Sequence, residues 1–148
     1  MTTLEQSVAA EIIALHAVLA GWLNGSLPND AATFSAGIED RLADGFFNIQ
    51  PAGRVLGREE LLAGLRAGHG MSPDFDIRIR DVVLRHRLPG GLVVATYEEY
   101  QRGARNSEPT NARLSTVVMR PGEPAASWLA VHETWLPQEQ LSADLFDF

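Results

Sequence analysis

From Phe75 to Pro137 the chain reads as four alternating runs separated by three turn signals, and few folds accept that pattern. Phe75–Arg87 sets Ile77 and Ile79 against Arg78 and Arg80. Leu88-Pro89-Gly90-Gly91 is a tight turn, and Leu92–Arg102 returns. Gly103–Thr110 is a polar loop, Asn111–Arg120 a third run, Pro121–Ala126 a turn and Ser127–Leu136 the fourth. A period of two puts successive side chains on opposite faces of a sheet, and short connections make neighbours antiparallel. The expectation is a four-stranded antiparallel meander.

The half before it is helical with one short hairpin. Leu4, Val8, Ile12, Leu15, Leu19 and Trp22/Leu23 recur at helical spacing over residues 3–24, and Thr3 with Gln6 fits a capping box. His16 and Trp22 read as packing residues of this helix. Asn29 or Asp30 can cap a second helix, Ala31–Ile38, with Phe34 and Ile38 inward. Leu42 to Ile49 is β-like, Pro51-Ala52-Gly53 turns, and Arg54-Val55-Leu56 returns. A third helix, Arg58–Ala67, carries Leu61, Leu62 and Leu65 before Gly68 and Gly70 end it. Helices followed by a meander make an α+β fold. The curved antiparallel sheet is expected to wrap around the long first helix as a half-open cone, with a pocket between helices and sheet. Residues 1–148 read as a single domain, ending in an acidic tail, 138–148, whose Leu141, Leu145 and Phe146 can dock as a helical turn or stay loose.

Composition narrows the function classes. There is no cysteine and no lysine, so thiolate chemistry, disulfides and Schiff-base catalysis are excluded. Nineteen acids oppose 12 arginines, a net charge of −7, which argues against nucleic acid and anionic membranes as partners. The N-terminus has no secretory pattern and no uninterrupted apolar stretch is long enough for a bilayer, so a soluble cytoplasmic protein is the expectation. No phosphate-binding glycine loop, His-Glu-x-x-His helix or Gly-x-Ser-x-Gly elbow is present, and four scattered histidines give no metal spacing. Neither metal nor cofactor is expected.

Element order and particular residues together resemble the nuclear transport factor 2-like superfamily, which includes SnoaL-like polyketide cyclases and ketosteroid isomerases. The residues are Gly45-Phe46-Phe47, Pro51-Ala52-Gly53-Arg54-Val55-Leu56, the Arg58–Leu65 helix, Ala95-Thr96-Tyr97, Arg113-Leu114-Ser115, and Trp128 with Val131-His132-Glu133. An uncharacterised branch of small bacterial proteins is the best match. The resemblance implies a cone-shaped fold, a pocket on the concave sheet face and a homodimer through the convex face. The isomerases' aspartate base and tyrosine–acid oxyanion hole find no residue-by-residue counterpart here, so that activity is not carried over.

Sorting strand faces by aliphatic bulk puts Leu92, Val94, Thr96, Glu98 and Tyr100 on the concave side, with Leu114, Thr116 and Val118, and with Leu129, Val131, Glu133 and Trp135. A slip of one residue would exchange every assignment. On this reading Thr116, Tyr100, Trp135 and Val131 line a pocket walled by Phe34, Phe46, Phe47 and Leu62. Glu133, set among apolar neighbours, is the candidate acid or base, with Glu98 about 10 Å away across the third strand. The other face, Trp128, Tyr97, Arg113, Glu99 and Ser115, is expected to meet a second copy, with an Arg113–Glu99 pair across adjacent strands. His132 replaces Glu133 as catalytic candidate if the register is shifted. The expected function is small-molecule binding; the alternative is a cofactor-free isomerase, cyclase or hydrolase using Glu133.

Overall fold

The first helix forms where the apolar spacing puts it. In the computed structural model, which describes residues 2–122 and 126–148, α1 spans Leu4–Leu23. Thr3 starts it: its hydroxyl accepts from the Gln6 amide, and the Gln6 side chain accepts from the Thr3 amide, so two orphan helix donors are satisfied. Val8, Ile12 and Leu15 face the sheet and are buried, each contributing about 1.5–3 kcal/mol. Trp22 closes the far end, its indole N–H donating to the Leu65 carbonyl at 2.7 Å. By length and composition alone α1 could cross a membrane. In this fold it is the helix against which the sheet packs.

Two short helices complete the cover. Asp30 caps α2, Ala31–Gly37, by accepting from the Thr33 amide at 2.7 Å. The third helix, α3, spans Arg58–Ala67 and buries Leu62. Its Arg58 guanidinium donates to the carbonyls of Leu42 and Glu39, which pins α3 over the first strand.

Six strands follow in the order expected: β1 Leu42–Ile49, β2 Val55–Gly57, β3 Asp76–Arg87, β4 Val93–Arg102, β5 Asn111–Arg120 and β6 Ser127–Trp135. They form one sheet ordered β2-β1-β6-β5-β4-β3. The last four make the antiparallel meander, although the turn expected at Pro121–Ala126 lies partly outside the described residues. The sheet is mixed because β1 joins β6 in parallel, a pairing that local pattern does not reveal. It is curved and does not close. Register shifts in β3 and β6 bend it, the first marked by Asp81 at φ 52°. Gly103, at φ 69°, ends β4 where an added Cβ would lie 2.1 Å from the Asp74 carbonyl oxygen, so only glycine fits.

The tail docks. Two short 3-10 turns, Gln138–Gln140 and Ala143–Phe146, bring Phe146 edge-on to Tyr100 and Phe148 against the guanidinium groups of Arg78 and Arg102. Arg80 adds a hydrogen bond to the Leu145 carbonyl at 2.7 Å. The contact is on the sheet face away from α1.

Candidate functional site

Register decides which side chains share the inner, helix-covered face. Across β4, β5 and β6 the paired rows are Val93–Met119–Trp128, Ala95–Val117–Val131, Tyr97–Ser115–Glu133 and Glu99–Arg113–Trp135. All but Trp135 are buried. The first two rows are apolar and the last two are not. From the helix side, His16 reaches the polar rows; from β1, Asn48 does.

The polar rows form a connected set of charges. His16 Nδ1 bonds the Ile12 carbonyl at 2.7 Å and its Nε2 lies 3.1 Å from Glu99 Oε1, so with both nitrogens donating the ring is an imidazolium. Burial alone would lower the His16 pKa; the Glu99 charge and hydrogen bond, the Ile12 carbonyl and the Glu133 charge outweigh that and raise it. Burial would raise the Glu99 carboxyl, but His16, then Arg113 and the Gln101 amide at 2.6 Å, bring it down to about 2. Glu133 goes the other way. Burial and the nearby Glu99 charge push it up against the pull of Arg113 and Asn48. Its contacts are long: Asn48 Nδ2 donates to Oε2 at 3.2 Å and Arg113 Nη1 to Oε1 at 3.4 Å. Arg113 also donates from Nη2 to Asn111 Oδ1 at 2.8 Å and lies over the Trp135 ring, 4.9 Å from its centroid. Arg113 Nε and Ser115 Oγ are buried with no hydrogen-bond partner among the described residues. Two carboxyls in unlike environments flank one arginine. Such a pair can divide the roles of fixed charge and proton carrier. Among the described residues no three histidine, aspartate or glutamate side chains converge as metal ligands.

No protein-family model and no curated protein matches this sequence. Solved structures do. A nuclear transport factor 2-like protein of unknown function from Pseudomonas aeruginosa matches over 88% of this chain and 99% of its own, with 28% identity and a TM-score of 0.77. The chain belongs to the nuclear transport factor 2-like superfamily. A cystatin-like protein from Caulobacter vibrioides (13% identity, 90% and 89% covered, TM-score 0.65) shares the fold. So does a candidate dehydratase of the same family from Streptomyces avermitilis (17% identity, 88% and 94% covered, TM-score 0.62).

In this nuclear transport factor 2-like chain the expected faces of β4 and β5 are exchanged. Ser115, not Thr116, is the partner of Glu133, so Thr116 and Glu98 lie on the outer face, and the supposed Glu98–Glu133 site is divided by the sheet. Tyr100 is also outward, its hydroxyl donating to Glu98 at 2.6 Å beneath the tail. Tyr97, Glu99, Arg113 and Ser115, expected against a second copy, are buried under α1 instead. Trp128 joins them because Leu129 is an extra residue in β6: Met119 pairs with Trp128 but Val118 with Ala130. That bulge puts Trp128, Val131 and Glu133 on one side. His132 stays exposed on the other, so a shift of β6 does not bring it in. Phe47 is exposed too, whereas Phe34, Phe46 and Leu62 are core residues. Trp135 is half-exposed at the rim. Glu99 and Arg113 are opposite each other across β4 and β5, but inside, and the arginine's ion pair is with Glu133.

The sequence places His16 as a packing residue, which its burial bears out, but gives no sign of its bond to Glu99, and it does not single out Asn48. A histidine one turn after Ile12 on an apolar helix stripe, and an asparagine two residues after Phe46 in β1, were the signals available. Each is a polar side chain at a position where the periodicity demands burial.

Proposed function

We propose that this chain binds a small molecule at the polar end of the inner sheet face and that Glu133 exchanges a proton with it. The reaction type is cofactor-free isomerisation, cyclisation or hydrolysis. One observation carries this reading: of the two acids beside Arg113, Glu99 is locked by His16 and Gln101, while Glu133 is held by two long contacts and has a raised pKa. A carboxyl whose pKa is raised by burial and a neighbouring charge, and which is not locked in a tight ion pair, suits general acid–base catalysis. Arg113 and Ser115 supply donors for a substrate oxygen, and Trp135 offers a flat apolar edge at the rim.

A panel of small ketones, lactones and epoxides, followed by NMR, tests it. Saturable binding with chemical change is expected, and Glu133→Gln removes the change and its pH profile while the fold persists. Binding without change in the wild-type protein supports a binding module alone. Retained turnover in the variant removes Glu133 from the mechanism.

The second copy belongs, on this reading, to the outer face, where Leu114 and Phe47 are exposed beside Thr116 and His132. Leu114→Asp is expected to convert a dimer to a monomer in sedimentation; a wild-type monomer rejects the proposal.

A further inference from the structure

We propose that the polar end of the inner face takes a monocarboxylate, whose oxygens are received by Arg113 Nε and Ser115 Oγ. This deepens the function proposed above and rests on it. The argument is a count of donors and acceptors. Ser115 is fully buried and Arg113 nearly so, yet Ser115 Oγ and Arg113 Nε–H have no partner among the described residues. A buried donor left unpaired is costly, so two on adjacent inward positions of one strand point to a ligand rather than to packing. Both lie on alternate inward positions of β5. The Tyr97 hydroxyl, held protonated by burial and by the charges of Glu99 and Glu133, is a donor beside Ser115 Oγ, so what Ser115 lacks is an acceptor for its own proton.

Two of the acceptors there are already committed, and the third, the Glu133 carboxylate, is held by Asn48 and Arg113 Nη1 and makes no hydrogen bond to Ser115 Oγ or Arg113 Nε. Glu99 accepts from His16 and Gln101, and Asn111 Oδ1 accepts from Arg113 Nη2. What is missing is an acceptor-rich group, and a planar carboxylate matches an arginine edge better than a single oxygen does. A neutral amide offers only an uncharged oxygen to the arginine edge, which is the weaker hydrogen-bond partner.

A third anion beside Arg113 changes the charge balance. The groups facing Glu133 are Asn48 from β1, Arg113 from β5, Glu99 and Tyr97 from β4, and His16 from α1. His16 and Arg113 balance Glu99 and Glu133. An incoming carboxylate therefore draws Arg113 away from Glu133, whose contact is the longest in the set, and Glu133 takes a proton from solvent. Glu99 stays ionised because His16 remains against it.

Calorimetric titration of the full chain with acetate, butyrate and benzoate, each beside its amide, tests this. At least one carboxylate is expected to bind about tenfold or more tightly than its amide, with uptake of about one proton read from buffers of different ionisation enthalpy. Arg113→Lys, which keeps the charge but removes the Nε–H, and Ser115→Ala, which removes the hydroxyl, are each expected to weaken binding about tenfold. Two variants guard against a folding defect in one. Amides binding as tightly as acids, or carboxylate binding unchanged in both variants, overturns the proposal and leaves the acid–base reading standing. No binding by any acid or amide overturns the proposal, and the ketone, lactone and epoxide panel then decides whether the broader reading falls with it.

Discussion

The two ends of the inner sheet face are built from the same three strands and carry opposite chemistry. At one end Val93, Ala95, Met119, Val117, Trp128 and Val131 pack against α1. At the other, two rows further along, lie Tyr97, Ser115, Glu133, Glu99 and Arg113, equally removed from water. Burial is the same and its cause is not. Apolar burial is favourable on its own, whereas the polar end is tolerable only because each charge finds an opposite one. Removing a group should therefore cost in different ways at the two ends.

The largest effect is expected at the polar end. Glu99→Ala leaves the buried His16 without its carboxylate and is expected to cost about 3–5 kcal/mol in urea unfolding. A cost below 1 kcal/mol would mean that the ion pair is not a part of the folded state's stability. At the apolar end Met119→Ala, with no exposed surface, is expected to cost about 2–5 kcal/mol by opening a cavity. That variant should still take up ligand at Arg113 and Ser115, which separates the end that holds the sheet from the end that acts.

The pH dependence sharpens the contrast further, with a smaller effect. His16 has a folded pKa above its ordinary 6.5, so its contribution is complete below 6.5 and is lost as pH rises through the folded value. Glu133 is also raised and acts in the same direction, its contribution complete below 4.5 and lost as pH rises. Glu99, held at about 2, contributes above 4.5 and loses that as pH falls towards 2. Stability should accordingly decline on the alkaline side, and His16→Gln should flatten the decline above pH 6.5. A wild-type stability that stays level through neutral pH would contradict a protonated His16.

How much of this was legible in the chain differs between the same two ends. Element order, the Thr3 cap and the meander follow from periodicity and turn residues, which act locally, and the cap of the second helix is narrowed to Asn29 or Asp30. The parallel β1–β6 pairing does not, since it joins segments some eighty residues apart. Bulk is a poor guide to the faces of β4 and β5: Leu114 and Val118 are larger than Ser115, yet they point outward. A face that holds a buried ion set looks more polar than the solvent face beside it. The bulge at Leu129 compounds this, because strict alternation cannot put Trp128 and Glu133 on one side. The feature that misled the face assignment is thus the site itself, where local pattern and tertiary burial disagree.

Ser115→Ala is the smallest change and isolates the cost of holding a site ready. At the apolar end, trimming a buried side chain removes contacts and destabilises. At Ser115 it removes a buried hydroxyl that has no partner, together with the cost of having taken it from water. The variant is expected to be neutral or more stable by about 1 kcal/mol, read as a shift in the urea midpoint at constant slope. Weaker carboxylate binding in the same protein would show stability given up for function at one oxygen atom. A loss of more than about 1 kcal/mol would show instead that the hydroxyl is bonded in the folded protein, with Tyr97 as its neighbour across β4, and would place Ser115 with the packing residues.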